Sequence, residues 1–176
     1  MTSVLRVKKR YGAPPARVFD AWIHPAIAGT WLLATASRPM ARVQIDARVG
    51  GAFRLTNERD GEVIEYAGDY VEVSPYRRLV FTLLLPERRR ASTRVIVEIV
   101  PLETGSRLTL LHENVPADMA SYMKARWTGI LYGLGVTLDL RLLPSEKIND
   151  AQCRFRVSPI DYRVGRPRST TIGSDP

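Results

Sequence analysis

At 176 residues, with 45% apolar and 25% charged side chains, the chain has the size and composition of one globular core. No run reaches the roughly 18 apolar residues of a membrane span, and the lone cysteine, Cys153, excludes an internal disulfide. The formal net charge is +8, and with only His24 and His112 beside that cysteine there is no zinc-type ligand cluster, so no metal and no other cofactor is expected.

The positive surplus is spread along the chain, in Arg6-Val7-Lys8-Lys9-Arg10, Arg77-Arg78 and Arg88-Arg89-Arg90. It reads as solvated strand and loop charge. No nucleic-acid motif accompanies it, so nucleic acid is not an expected partner. The opening MTSVLRVKKRYGAPP lacks the apolar run of a secretory signal. Together with the lone cysteine, this predicts a cytoplasmic location.

In chain order, Val4–Tyr11 alternates with Leu5, Val7, Lys9 and Tyr11 on one face, a half-buried strand with Lys9 as the exception. Gly12–Pro15 turns the chain, and Pro14 and Pro15 suit a first helical turn. Val18, Phe19, Trp22 and Ile23 share a helical face until Pro25 breaks the helix. A second short helix over about 26–33 offers Ile27, Trp31 and Leu32 inward.

From Ala41 the period becomes two. Ala41–Ile45 and Gly51–Asn57 read as strands, with Gly50-Gly51 marking a tight turn or bulge. Asp60-Gly61 signals a hairpin into a longer strand, Glu62–Val73, stopped by Ser74-Pro75. Leu79–Leu85 is almost wholly apolar, which predicts a central strand with both faces covered. After a basic loop over 86–91, Thr93–Val100 and Arg107–Glu113 alternate, the latter with Leu108, Leu110 and His112 on one face. Short strands joined by turns imply antiparallel meanders.

Met119–Leu142 then reads as one long amphipathic helix. Met119, Met123, Trp127, Leu131, Leu134 and Leu138 recur at steps of three and four, with Asp118 placed to cap the start and Pro144 to end it. The pattern predicts an α+β domain over 1–143, a curved antiparallel sheet of about seven strands gripping this helix with a pocket between them. Residues 144–176 lack periodicity and read as an irregular basic extension. Within it, Cys153–Val157 could add a strand to this molecule or to a second copy, which allows a homodimer.

This order of elements resembles that of the START-like, Bet v 1-like helix-grip superfamily, whose members are also labelled SRPBCC proteins. Within it the sequence resembles the family named after the activator of Hsp90 ATPase. The resemblance runs through Ala13-Pro14-Pro15-Ala16-Arg17-Val18-Phe19-Asp20-Ala21-Trp22, Trp31, Asp46-Ala47-Arg48-Val49-Gly50-Gly51-Ala52-Phe53-Arg54 and Gly68-Asp69-Tyr70-Val71-Glu72-Val73-Ser74-Pro75. Arg78-Leu79-Val80-Phe81-Thr82, Leu108-Thr109-Leu110-Leu111-His112 and Arg126-Trp127-Thr128-Gly129-Ile130-Leu131 complete it, over about residues 5–142. His24 departs from the family pattern, standing where an Asp before the Pro is usual.

The resemblance implies a cavity between sheet and helix that binds a hydrophobic or amphipathic small molecule, a lipid among the candidates, without a demand for catalysis. Trp22, Trp31, Phe53, Tyr66, Leu110, His112, Trp127, Leu131 and Leu134 are the expected lining. His112 is the best polar candidate, since it shares a face with Leu108 and Leu110. Glu98, Glu113 and Asp69 are alternative polar partners. Two other readings follow from the resemblance: a co-chaperone that stimulates an Hsp90-type ATPase in a stress response, and a cyclase- or hydrolase-like enzyme using His112. Gly129, Gly133 and Gly135 each weaken the helix interior by about 1 kcal/mol against Ala, so close packing or ligand space must account for them.

Overall fold

A computed structural model describes residues 1–34, 40–59, 61–86 and 91–140. The Arg88-Arg89-Arg90 loop, the helix end at Leu142, Pro144 and the extension with Cys153–Val157 lie outside the described residues.

The described elements run β1 (Thr2–Tyr11), α1 (Pro15–Ile23), α2 (Pro25–Trp31), β2 (Arg42–Ile45), β3 (Ala52–Arg59), β4 (Glu62–Ser74), β5 (Arg78–Leu85), β6 (Ala91–Pro101), β7 (Ser106–Pro116) and α3 (Ala120–Leu140). The strands form one curved antiparallel sheet of order β1-β7-β6-β5-β4-β3-β2. Each strand from β2 to β7 lies beside its chain neighbour, so short turns suffice, and only β1 pairs with a distant partner, β7. Prolines set both short helices: Pro15 and Pro25 each occupy a first turn, where the missing N–H costs nothing. A 3₁₀ turn, Ala117–Met119, carries the chain into α3, so Asp118 lies within that turn rather than ahead of it.

α3 lies on the sheet through the predicted stripe. Met123, Trp127, Ile130, Leu131, Leu134 and Leu138 are all buried. They meet Leu5 and Tyr11 of β1, Leu108 and Leu110 of β7, and Val95, Val97 and Ile99 of β6 in one continuous core. Lys9 breaks the alternation of β1 because its ammonium sits 5.4 Å from the centre of the Tyr132 ring on α3. β5 is central, but only Leu79, Phe81, Leu83 and Leu85 reach the core under the helix. On the other side Val80 is fully buried, while Thr82 and Leu84 are half-buried.

Of the three glycines in α3, Gly133 and Gly135 lie within ordinary packing distance of aromatic residues, close enough for contact but not so close as to demand a glycine. A Cβ on Gly135 would stand 3.5 Å from the Tyr11 ring, and one on Gly133 would stand 3.8 Å from Cβ of Trp31. Tyr11 also donates from its hydroxyl to the Leu131 carbonyl at 2.8 Å. Gly129 is exposed and has open space where its side chain would be. Gly129→Ala should therefore raise the unfolding free energy by about 1 kcal/mol. A denaturant titration reads this, and an unchanged or lower midpoint would contradict the open geometry.

Candidate ligand site

The inner layer holds two different environments, a polar node around His112 and an aromatic hollow beside Trp22. The node is built by neighbouring strands and the helix above them. β6 and β7 place Val95 opposite His112, so Thr93 lies two residues along the same face of β6. Trp127 descends from α3 onto that face. The indole N–H of Trp127 donates to Nδ1 of His112 at 2.9 Å, and Nε2 lies 2.7 Å from Oγ1 of Thr93. The Thr93 hydroxyl donates to the Leu83 carbonyl at 2.8 Å.

These bonds fix the protonation. Nδ1 accepts, so the ring proton sits on Nε2, and that N–H donates to a threonine oxygen whose own proton is already engaged. His112 is fully buried, and burial lowers its pKa from 6.5 to about 4. It is a neutral imidazole with both nitrogens occupied, stacked edge-on against Trp127 at 5.9 Å.

The hollow is bordered by Trp22, whose ring lies 6.4 Å from that of Trp127. It is a small, partly open space of about 10 Å³ lined by Trp22, Leu32, Ile45, Phe53, Tyr70, Leu79 and Phe81. That is room for about one water molecule. Four aromatic rings make its wall. Phe53 meets Phe81 edge-on at 5.4 Å, Tyr70 lies 5.8 Å from Phe53, and Trp22 lies 6.1 Å from Phe81. Tyr70 and Phe81 face each other across β4 and β5, just before a bulge between Tyr70 and Glu72 shifts the register. Burial, with Asp46 nearby, raises the pKa of Tyr70, so its phenol stays protonated.

The indoles differ in one respect. Trp31 donates to the Ala21 carbonyl at 3.2 Å and Trp127 donates to His112, whereas the buried N–H of Trp22 has no acceptor. An unpaired buried donor costs about 1–3 kcal/mol.

Of the nine residues expected from the sequence, Trp22 and Phe53 line the hollow. Trp31 packs edge-on against Trp22 at 4.8 Å without lining the hollow. His112 and Trp127 form the polar node. Leu110, Leu131 and Leu134 are core residues with at most 1% exposure. Tyr66 accepts from the guanidinium of Arg126, which also lies over its ring at 4.9 Å. Glu98 pairs with Arg78, Glu113 lies 3.9 Å from Arg94, and Asp69 is exposed. Sequence reading missed Leu32, Ile45, Tyr70, Leu79 and Phe81. The apolar run Leu79–Leu85 marked Leu79 and Phe81 as buried without saying which of its two faces met the core. Nothing in the sequence marked the β4–β5 register that sets Tyr70 opposite Phe81.

Among the described residues no helix is long and apolar enough to cross a membrane, and no cluster of three or more His, Cys, Asp or Glu is placed to hold a metal ion.

A family model described as activator of Hsp90 ATPase homolog 1-like protein matches residues 12–139. No curated protein matches the chain. Among solved structures, a protein of Chromobacterium violaceum is 25% identical, covering 76% of this chain and 94% of its own, with a TM-score of 0.68. An AHSA1-like protein from Aeromonas hydrophila is 17% identical, covering 81% and 96%, with a TM-score of 0.69. A protein of Nitrosomonas europaea is 19% identical, covering 79% and 96%, with a TM-score of 0.67.

Proposed function

The chain belongs to the activator of Hsp90 ATPase homolog 1-like family, and from that premise and the shape of its interior we propose that it binds a small hydrophobic or amphipathic molecule at the aromatic hollow. The observation that carries this reading is the partly open set of four aromatic rings around Trp22. Small-molecule sites are concave, aromatic-lined and sparingly polar. At about 10 Å³ the hollow cannot take such a ligand without side-chain movement. Binding therefore means displacing Phe81, Tyr70 or Leu32 outward, and affinity is reduced by the population of that opened state.

Titrating the full chain with 1-anilinonaphthalene-8-sulfonate and with neutral single-ring aromatics tests this, read by amide and ring NMR shifts. Shifts confined to the hollow's lining are expected. Ile45 is half-buried on its rim, and Ile45→Glu should weaken binding about tenfold or more while leaving the fold intact. If no compound moves the lining resonances, or if Ile45→Glu binds as well as the parent, the reading fails.

The family description favours a second reading, stimulation of an Hsp90-type ATPase as a partner chaperone, in a stress response. Adding the chain to Hsp90 and measuring ATP hydrolysis distinguishes it from ligand carriage. An enzyme using His112 as general base has the least support, since both ring nitrogens are bonded within the core. A cytoplasmic setting suits the lone cysteine.

A further inference from the structure

Resting on the ligand site proposed above, we infer that its ligand is an uncharged aromatic molecule carrying a carbonyl or ether oxygen, which accepts the hydrogen bond that the Trp22 indole N–H leaves unmade. Three observations converge on this.

The first is the wall itself. Every residue lining the hollow is apolar or aromatic, and none carries a formal charge. A carboxylate or ammonium placed there would be desolvated with no counter-ion, which a neutral molecule avoids. Rings that meet one another edge-on or tilted, as Phe53, Phe81, Tyr70 and Trp22 do, present π-faces and edges suited to a further planar ring.

The second is the donor. Trp22 is 2% exposed and its indole nitrogen is the one buried side-chain polar atom without a partner among the described residues. Indole nitrogen only donates, so its complement must be an acceptor. The other two tryptophans show how this interior treats an indole when it is purely structural: a backbone carbonyl serves Trp31 and an imidazole serves Trp127. Trp22 is the exception, and it is the one of the three that borders the hollow. The nitrogen is shut off from solvent in this closed form, so a ligand oxygen reaches it only through the same side-chain movement that opens the hollow.

The third is the second polar group on the wall. Tyr70 keeps its proton because burial and Asp46 both oppose its ionisation. It therefore adds a neutral hydroxyl and no charge. This again fits a ligand with one or two neutral oxygens.

The test uses an isosteric pair, acetophenone and α-methylstyrene, which differ by C=O against C=CH₂. The chain has three tryptophans, so three indole N–H signals report directly. Trp22→Phe assigns one of them and removes the donor while keeping a ring. Acetophenone should move the Trp22 signal downfield and bind about tenfold more tightly than α-methylstyrene, and Trp22→Phe should erase that preference. Benzoate should not bind. Equal affinity for the pair with no downfield shift would overturn the inference and leave the hydrophobic site standing. Binding of neither compound would overturn both. Should Trp22→Phe fail to fold, the indole shift and the affinity ratio in the parent chain still decide.

Discussion

Lowering the pH from 7 to 4 should cost the fold about 3 kcal/mol through His112 alone. The unfolded chain carries a histidine of ordinary pKa, 6.5, whereas burial holds the folded His112 at about 4. Above pH 6.5 both forms are neutral and the group contributes no slope. Between 6.5 and 4 the unfolded chain binds a proton that the folded chain refuses, so stability falls with pH. Below 4 both are protonated and the slope vanishes again. The geometry explains why the folded state refuses it. A proton on Nδ1 would set two N–H groups, those of the imidazolium and of Trp127, against each other at 2.9 Å.

Carboxylates titrate at the low end of this window, so the decisive comparison is with His112→Gln. Glutamine offers a carbonyl and an amide N–H in place of the two ring nitrogens and does not ionise. Urea unfolding of both chains at stepped pH should show a steeper fall between pH 6.5 and 4.5 in the parent. Parallel curves would mean that His112 is not the neutral node described here. The result bears on function as well, because a histidine so committed is a poor general base at neutral pH.

The same residue shows what was legible in the sequence. Alternation on β7 placed His112 on the inner face with Leu108 and Leu110, and the stripe of α3 placed Trp127 inward. Both follow from local periods of two and 3.6. That the two side chains meet, with Thr93 as third partner, depends on the β6–β7 register and on where α3 crosses the sheet. Neither is written in a local period. Lys9 looked like an error in a half-buried strand until Tyr132 supplied its partner from the helix. Gly133 and Gly135 were visible as weak points in α3, but only the packed structure supplies Trp31 and Tyr11 as their neighbours. The hollow was least legible, because Tyr66 and Tyr70 lie four residues apart on β4 and only the pairing of Tyr70 with Phe81 decides which of them lines it.

Gly68→Ala should be the most damaging single methyl in the sheet, costing about 3 kcal/mol or more. A Cβ at Gly68 would stand 1.8 Å from the Thr82 carbonyl oxygen and 2.8 Å from the Phe53 ring. The oxygen belongs to backbone and cannot swing aside as a side chain would. Strand β4 must therefore pull away from β5 by more than about 1 Å, since ordinary contact needs about 3.4 Å or more. Phe53 lies directly opposite Gly68 in β3, so its ring occupies the space that the missing side chain leaves. The glycine is thus a requirement of the hollow: it lets Phe53 lie against β4, edge-on to Phe81 and beside Tyr70. Two losses should appear together in Gly68→Ala. Its urea midpoint should drop sharply, and under conditions where it remains folded it should lose the aromatic-ligand shifts of the parent chain. Native stability with those shifts intact would show that the strands separate freely there, and that Phe53 does not depend on the glycine to form the wall.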